Sequence, residues 1–104
     1  MTSRWQLTPR ALDDLDGIWQ YIAQDNAAAA DRVEAAILAA CDRLARYPLL
    51  GARRLELTLL PLRFWTLPKY PNFIVVYRPE TRPLQVIAIL HGSRDLAQVL
   101  EEAS

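Results

Sequence analysis

Apolar positions along this chain recur first with the two-residue period of a strand, then with a helical period, then with the strand period again. In Arg4–Leu7, Trp5 and Leu7 fall on one side of an extended segment. Leu12, Leu15, Ile18, Trp19 and Ile22 then follow the spacing of one helical face. Thr8-Pro9 supplies the start of that helix. A threonine hydroxyl accepts an unpaired backbone N–H, and proline at the first helical position gives up no hydrogen bond. Asp13, Asp14 and Asp16 fall in the early turns, where negative charge suits the helix dipole.

Gln24-Asp25-Asn26 breaks the pattern, and Asp25 or Asn26 can cap a second helix through the alanine-rich Ala27–Ala30. Val33, Ile37, Ala40, Cys41 and Leu44 form its apolar stripe, and so short a break predicts an antiparallel helical hairpin. Tyr47-Pro48-Leu49-Leu50-Gly51 ends it, since proline cannot continue a helix and glycine allows a tight turn. Strands are then expected over Arg53–Leu57, Leu62–Leu67, Phe73–Arg78 and Leu84–His91. The last two are apolar on both faces, as central strands are. Short turns between them imply an antiparallel meander, and Leu96, Val99 and Leu100 suggest a final helical turn.

The expected fold is α+β. A short N-terminal strand and an antiparallel helical hairpin pack on one face of a mostly antiparallel sheet of three or four strands. A chain of 104 residues, 52% of them apolar, holds one core, so a single domain over residues 1–104 is expected. No apolar run approaches the roughly 20 residues of a membrane span. The N-terminus has no apolar leader segment, so a cytoplasmic protein is expected. Cys41 is the only cysteine, which excludes an internal disulfide and a cysteine-rich metal site. It reads as a small core hydrophobe, and neither cofactor nor metal is expected.

Charge sharpens the picture because it is unevenly spread over a chain of net charge zero. Residues 1–46 carry five cations and seven carboxylates, residues 47–83 six against two, and residues 84–104 one against three. A basic middle between acidic flanks fits a surface for an anionic partner. The chain as a whole lacks the basic excess of a dedicated nucleic-acid binder, and no sequence-specific DNA binding is expected.

Over about ninety residues the chain resembles the ParE/RelE toxin superfamily of type II toxin–antitoxin pairs. The opening Trp5–Ile22 is similar to the family's short strand, Thr/Ser-Pro entry and Ala-x-x-Asp-Leu-x-x-Ile-x-x-Tyr, here Ala11, Asp14, Leu15, Ile18 and Tyr21. Leu44 to Gly51 is similar to Leu-x-x-x-Pro-x-x-Gly. Leu62-Arg63-Phe64, Ile74–Arg78 and Ile87–Asp95 resemble the later strands in order. The resemblance implies a cytoplasmic toxin held by a cognate antitoxin with a flexible, acidic C-terminal segment.

Two activities occur in that superfamily. RelE-like members cut messenger RNA on the ribosome, which needs a base, an acid and cations around one phosphate. ParE-like members bind and arrest DNA gyrase without chemistry of their own. For the enzyme reading the candidates are His91, Arg63 and Arg94, with Lys69, Arg78, Tyr70 and Tyr77 as further members. For target or antitoxin binding they are Arg63, Trp65, Arg78, His91 and Arg94. Trp65 shares a strand face with Arg63 by the two-residue period, while Trp5 and Trp19 read as core. Zero net charge and the single Lys69 favour the ParE-like, gyrase-binding branch, because ribosomal RNA is held mainly by phosphate neutralisation, and the His91-Gly92-Ser93-Arg94 ending resembles that branch more than the nucleases. The alternatives are a ribosome-dependent endoribonuclease and an interaction module without toxicity.

Overall fold

Thr8 begins the helical layer and also finishes an edge of the sheet. In the computed structural model, which describes residues 4–92, the first strand, β1 (Trp5–Leu7), runs directly into helix α1 (Pro9–Ala23). The Thr8 hydroxyl accepts the Ala11 N–H at 3.2 Å and donates to the Ile87 carbonyl at 3.2 Å. Helix α2 (Ala27–Arg46) starts at Asn26, whose side-chain oxygen accepts the Ala29 N–H at 3.0 Å. It ends with Arg43 and Arg46 in its last turn, where cations suit the exposed carbonyls.

Three strands follow, β2 (Arg63–Thr66), β3 (Phe73–Arg78) and β4 (Leu84–His91), and the sheet order is β1-β4-β3-β2. The β2–β3 and β3–β4 pairs are antiparallel, and β1 lies parallel to β4 with Trp5 opposite Leu84. The expected α+β layering, helical hairpin and N-terminal strand are all present. The expected strand over Arg53–Leu57 is not: residues 55–57 form a turn, and only Ala52 bridges to the sheet, at Phe64. Alternating polarity misled here because Arg54 and Glu56 pair with each other across that turn instead of pointing to a strand's wet face. The expected final helical turn lies outside the described residues.

A bulge in β4 decides which residues meet the helices. Val76 faces Ala88 while Tyr77 faces Val86, so Ile87 is the extra residue. As a result Val86 and Ile89, three apart, both join the helix-side core with Val33, Ile37, Cys41, Leu44 and Tyr77. Ile87, Ala88 and Leu90 join a second buried cluster on the opposite face, with Leu62, Phe64 and Val76. This second cluster is why β3 and β4 are apolar on both sides.

Trp5 and Trp19, expected in the core, are instead half-buried at its margin. Their indole N–H groups donate to α2 carboxylates, Trp5 to Asp42 at 2.6 Å and Trp19 to Asp31 at 2.9 Å. An indole placed so satisfies its polar edge while its ring still covers apolar surface.

The passage from α2 to the sheet hangs on one phenol. The fully buried Tyr77 donates from its hydroxyl to the Pro48 carbonyl at 2.7 Å and accepts the Gly51 N–H at 2.8 Å. A Cβ on Gly51 would lie 2.6 Å from that oxygen and 3.1 Å from the Phe64 carbonyl. The proline and glycine of the Leu44–Gly51 motif are thereby explained: one ends α2, the other lets the backbone pass against Tyr77.

Two substitutions test this junction. Tyr77→Phe leaves a buried donor and acceptor without partners and should lower unfolding stability by about 1–3 kcal/mol in urea titrations. Gly51→Ala forces the phenol aside and should cost a similar ~1–3 kcal/mol. Wild-type stability in either variant contradicts the assignment.

Candidate functional site

The predicted site residues separate into three regions. His91 ends β4 and points to the helical side, its ring 5.1 Å from that of Phe73 and tilted by 34°. It lines a cleft of about 660 Å³ between α1 and the sheet, together with Asp13, Asp14, Tyr21, Tyr70 and Asn72. Asp14 is held on both oxygens: Oδ1 accepts from Arg10 Nε at 2.9 Å, and Oδ2 accepts the Ile89 N–H at 3.0 Å. Its role is to finish the edge of β4 beyond the reach of β1, which the reading of it as a dipole partner missed. No sequence spacing signals such a bond, because it joins residues 75 positions apart.

Arg63 and Trp65 share one face of β2, as the period predicted, and that face is the helical side, but they serve different surroundings. Arg63 Nη1 donates to the Gly51 carbonyl at 2.7 Å and the Leu49 carbonyl at 3.3 Å, which fixes it to the α2–β2 connection. Trp65 is half-buried against the core. It walls a groove of about 410 Å³ with Ala36, Ala39 and Ala40 of α2, and with Arg43, Lys69 and Tyr70. Arg43 was not anticipated, although Ala36, Ala39, Ala40 and Arg43 share one helical stripe that the sequence does contain.

Arg78 is half-buried at the far end of β3, opposite Gln85, and Tyr77 is taken up by the junction. Burial pushes the Tyr77 phenol above its ordinary value, against smaller lowering effects from the Gly51 N–H and Arg63. It therefore stays protonated and keeps donating to Pro48. Arg94 lies outside the described residues.

The structure does not bring His91 and Arg63 together. His91 pairs with Phe73 at one end of β3 and Arg63 with Tyr77 near the other, on strands that flank β3 from opposite sides. Four steps along the strand and two strand spacings put their Cα atoms roughly 16 Å apart. The Arg63 side chain is also turned toward Gly51, so in this arrangement the two do not face a common phosphate. Among the described residues, no group of His, Cys, Asp or Glu is placed to hold a metal ion, and no helix is long and apolar enough to cross a membrane.

Residues 6–96 match the model of a family described as the ParE toxin of the type II toxin–antitoxin system parDE. A protein of Sinorhizobium fredii (strain NBRC 101917 / NGR234) named "Putative toxin Y4kP" is 39% identical over 98 residues, covering 93% of this chain and 94% of its own. Among solved structures, one titled as the chromosomal ParDE TA system from P. aeruginosa aligns with a TM-score of 0.69. It is 22% identical and covers 86% of this chain and 99% of its own, a likeness of fold.

Cys41 offers no nucleophile. Burial, and then the neighbouring Asp42 carboxylate, push its thiol from the ordinary 9.0 up to about 12. Because the folded state holds this proton more tightly, its stabilising contribution is complete below pH 9.0 and is lost as pH rises toward about 12. Native protein at pH 8 should therefore react with an aromatic disulfide reagent only as fast as it unfolds, and fully in denaturant. Rapid labelling of the native thiol contradicts this.

Proposed function

The chain belongs to the ParE toxin family of type II toxin–antitoxin systems, and we propose that it acts by binding DNA gyrase and arresting it, without chemistry of its own. Family membership over residues 6–96 carries the toxin reading. The distance between His91 and Arg63 supports binding over cleavage, since general acid–base work on a phosphodiester needs its groups within hydrogen-bond reach of one another's substrate atoms. Zero net charge supports it too, as docking on ribosomal RNA gains most from a cationic surface. The chain acts as one toxin domain in the cytoplasm, where gyrase is.

Neutralisation falls to a cognate antitoxin whose acidic C-terminal segment folds onto the toxin. The groove at Trp65 suits it: an alanine floor admits apolar side chains, two aromatic rings wall it, and Arg43 and Lys69 meet carboxylates. A segment that orders on binding gains most from such desolvated aromatic contacts.

Induction of the chain alone in a bacterium should stop growth, with loss of supercoiling by gyrase and messenger RNA left intact. His91→Ala should stay toxic. Transcripts cut on the ribosome, with cutting abolished by His91→Ala, would sink the proposal in favour of the nuclease. For the antitoxin groove, Trp65→Ala should weaken antitoxin binding by about 2 kcal/mol, roughly 30-fold, in calorimetry on a variant confirmed to be folded. Unchanged affinity would move the antitoxin elsewhere.

A further inference from the structure

At the end of the molecule formed by the α2–β2 connection and the β3–β4 turn, a cleft of about 600 Å³ is lined by Arg53, Arg63 and Arg82, with Glu80 as its one carboxylate and Leu49 at its rim. Two of these arginines are held by neutral groups. Arg82 Nη1 donates to the Pro79 carbonyl at 2.9 Å and the Thr81 carbonyl at 2.7 Å, as Arg63 does to Gly51 and Leu49. A carbonyl fixes a guanidinium without cancelling its charge. Arg10 and Arg54, by contrast, face Asp14 and Glu56. Arg53 has no side-chain hydrogen bond or ion pair among the described residues, so the cleft keeps a positive excess over Glu80.

The same connection exposes large aliphatic side chains, with Leu49 71%, Leu55 57% and Leu59 86% accessible. Leu49 lines the cleft itself, while Leu55 and Leu59 stand out from the same connection; exposed leucines gain nothing from a phosphate backbone but much from a protein surface. Resting on the reading of the chain as a toxin that works by binding a protein, we propose that this basic, leucine-bearing end face docks an acidic, aliphatic segment on the folded surface of the target. It is a surface separate from the Trp65 groove. Cations already fixed by the backbone lose little freedom on docking, which suits a folded partner. The groove, whose gain is apolar burial, suits a segment that folds as it binds.

The test uses the full chain carrying Arg53→Glu with Arg82→Glu, and separately Leu49→Ser with Leu59→Ser. All four positions are exposed, and thermal unfolding confirms that each variant is folded before its binding is read. Arg32→Glu, at an exposed position on α2, serves as the charge control. Both double variants should lose growth arrest and bind purified gyrase at least about tenfold more weakly. The control stays toxic, and all of them keep antitoxin affinity within about threefold. Raising salt should weaken gyrase binding by the wild type far more than by the arginine variant.

Undiminished growth arrest in the double variants overturns the proposal. A parallel loss of antitoxin affinity overturns it by giving the face to the antitoxin. So does retention of a short DNA duplex by the wild type that the arginine variant loses. If the wild type stops growth while gyrase is untouched, the gyrase reading fails alone. Growth arrest then judges this surface: its loss in the variants supports the face, and its persistence rejects it. A wild-type chain that never stops growth overturns both.

Discussion

Where α2 ends, the chain must leave a helical layer and enter a sheet within a few residues, and the buried phenol of Tyr77 makes that passage a fixed one. Its hydroxyl takes both an acceptor, Pro48, and a donor, Gly51, from the same short segment. Arg63 then holds the carbonyls of Leu49 and Gly51 from the neighbouring strand, and Ala52 pairs with Phe64 in both directions at 3.0 and 2.9 Å. Each of these groups would be costly to bury unpaired. Together they set where the arginine-lined end of the molecule stands relative to the helices. One polar centre thus serves packing and surface chemistry at once.

A second constraint lies at the opposite edge of the sheet. β1 pairs with β4 only from Leu84 to Val86, leaving the rest of β4 with exposed backbone groups on that side. Side chains from the start of α1 take over: Thr8 meets Ile87 and Asp14 meets Ile89. The bulge at Ile87 lets this happen while still turning both Val86 and Ile89 toward the helices. Helix α1 is therefore bonded to β4 as well as packed on it. The cleft beside His91 is the space left between them.

The periodic parts of this architecture could be read from the residues alone. Leu15 and Ile18, or Val33, Ile37, Cys41 and Leu44, announce helices because a single buried face repeats. Thr8-Pro9 and Pro48–Gly51 mark ends for local reasons. Features that depend on distant partners could not be read. Asp14 looked like a helix-dipole residue until Ile89 was beside it. Arg54 and Glu56 looked like strand positions until they paired. The bulge left no mark in a run as uniformly apolar as Val86–Leu90. Among candidate site residues, the face shared by Arg63 and Trp65 was legible from the period, but their separate partners and the distance from His91 were not. The cations that gather at the end face were visible only as a surplus over residues 47–83.

A ParE-family toxin built this way is proposed to work by occupancy, and occupancy has a signature that catalysis lacks. The most direct test is to titrate the purified chain into gyrase supercoiling reactions and, in parallel, into a translating extract. Supercoiling should fall in proportion to toxin added until toxin and gyrase match, with messages in the extract uncut. Supercoiling that persists at excess toxin, while substoichiometric amounts cut messenger RNA, would contradict action by occupancy.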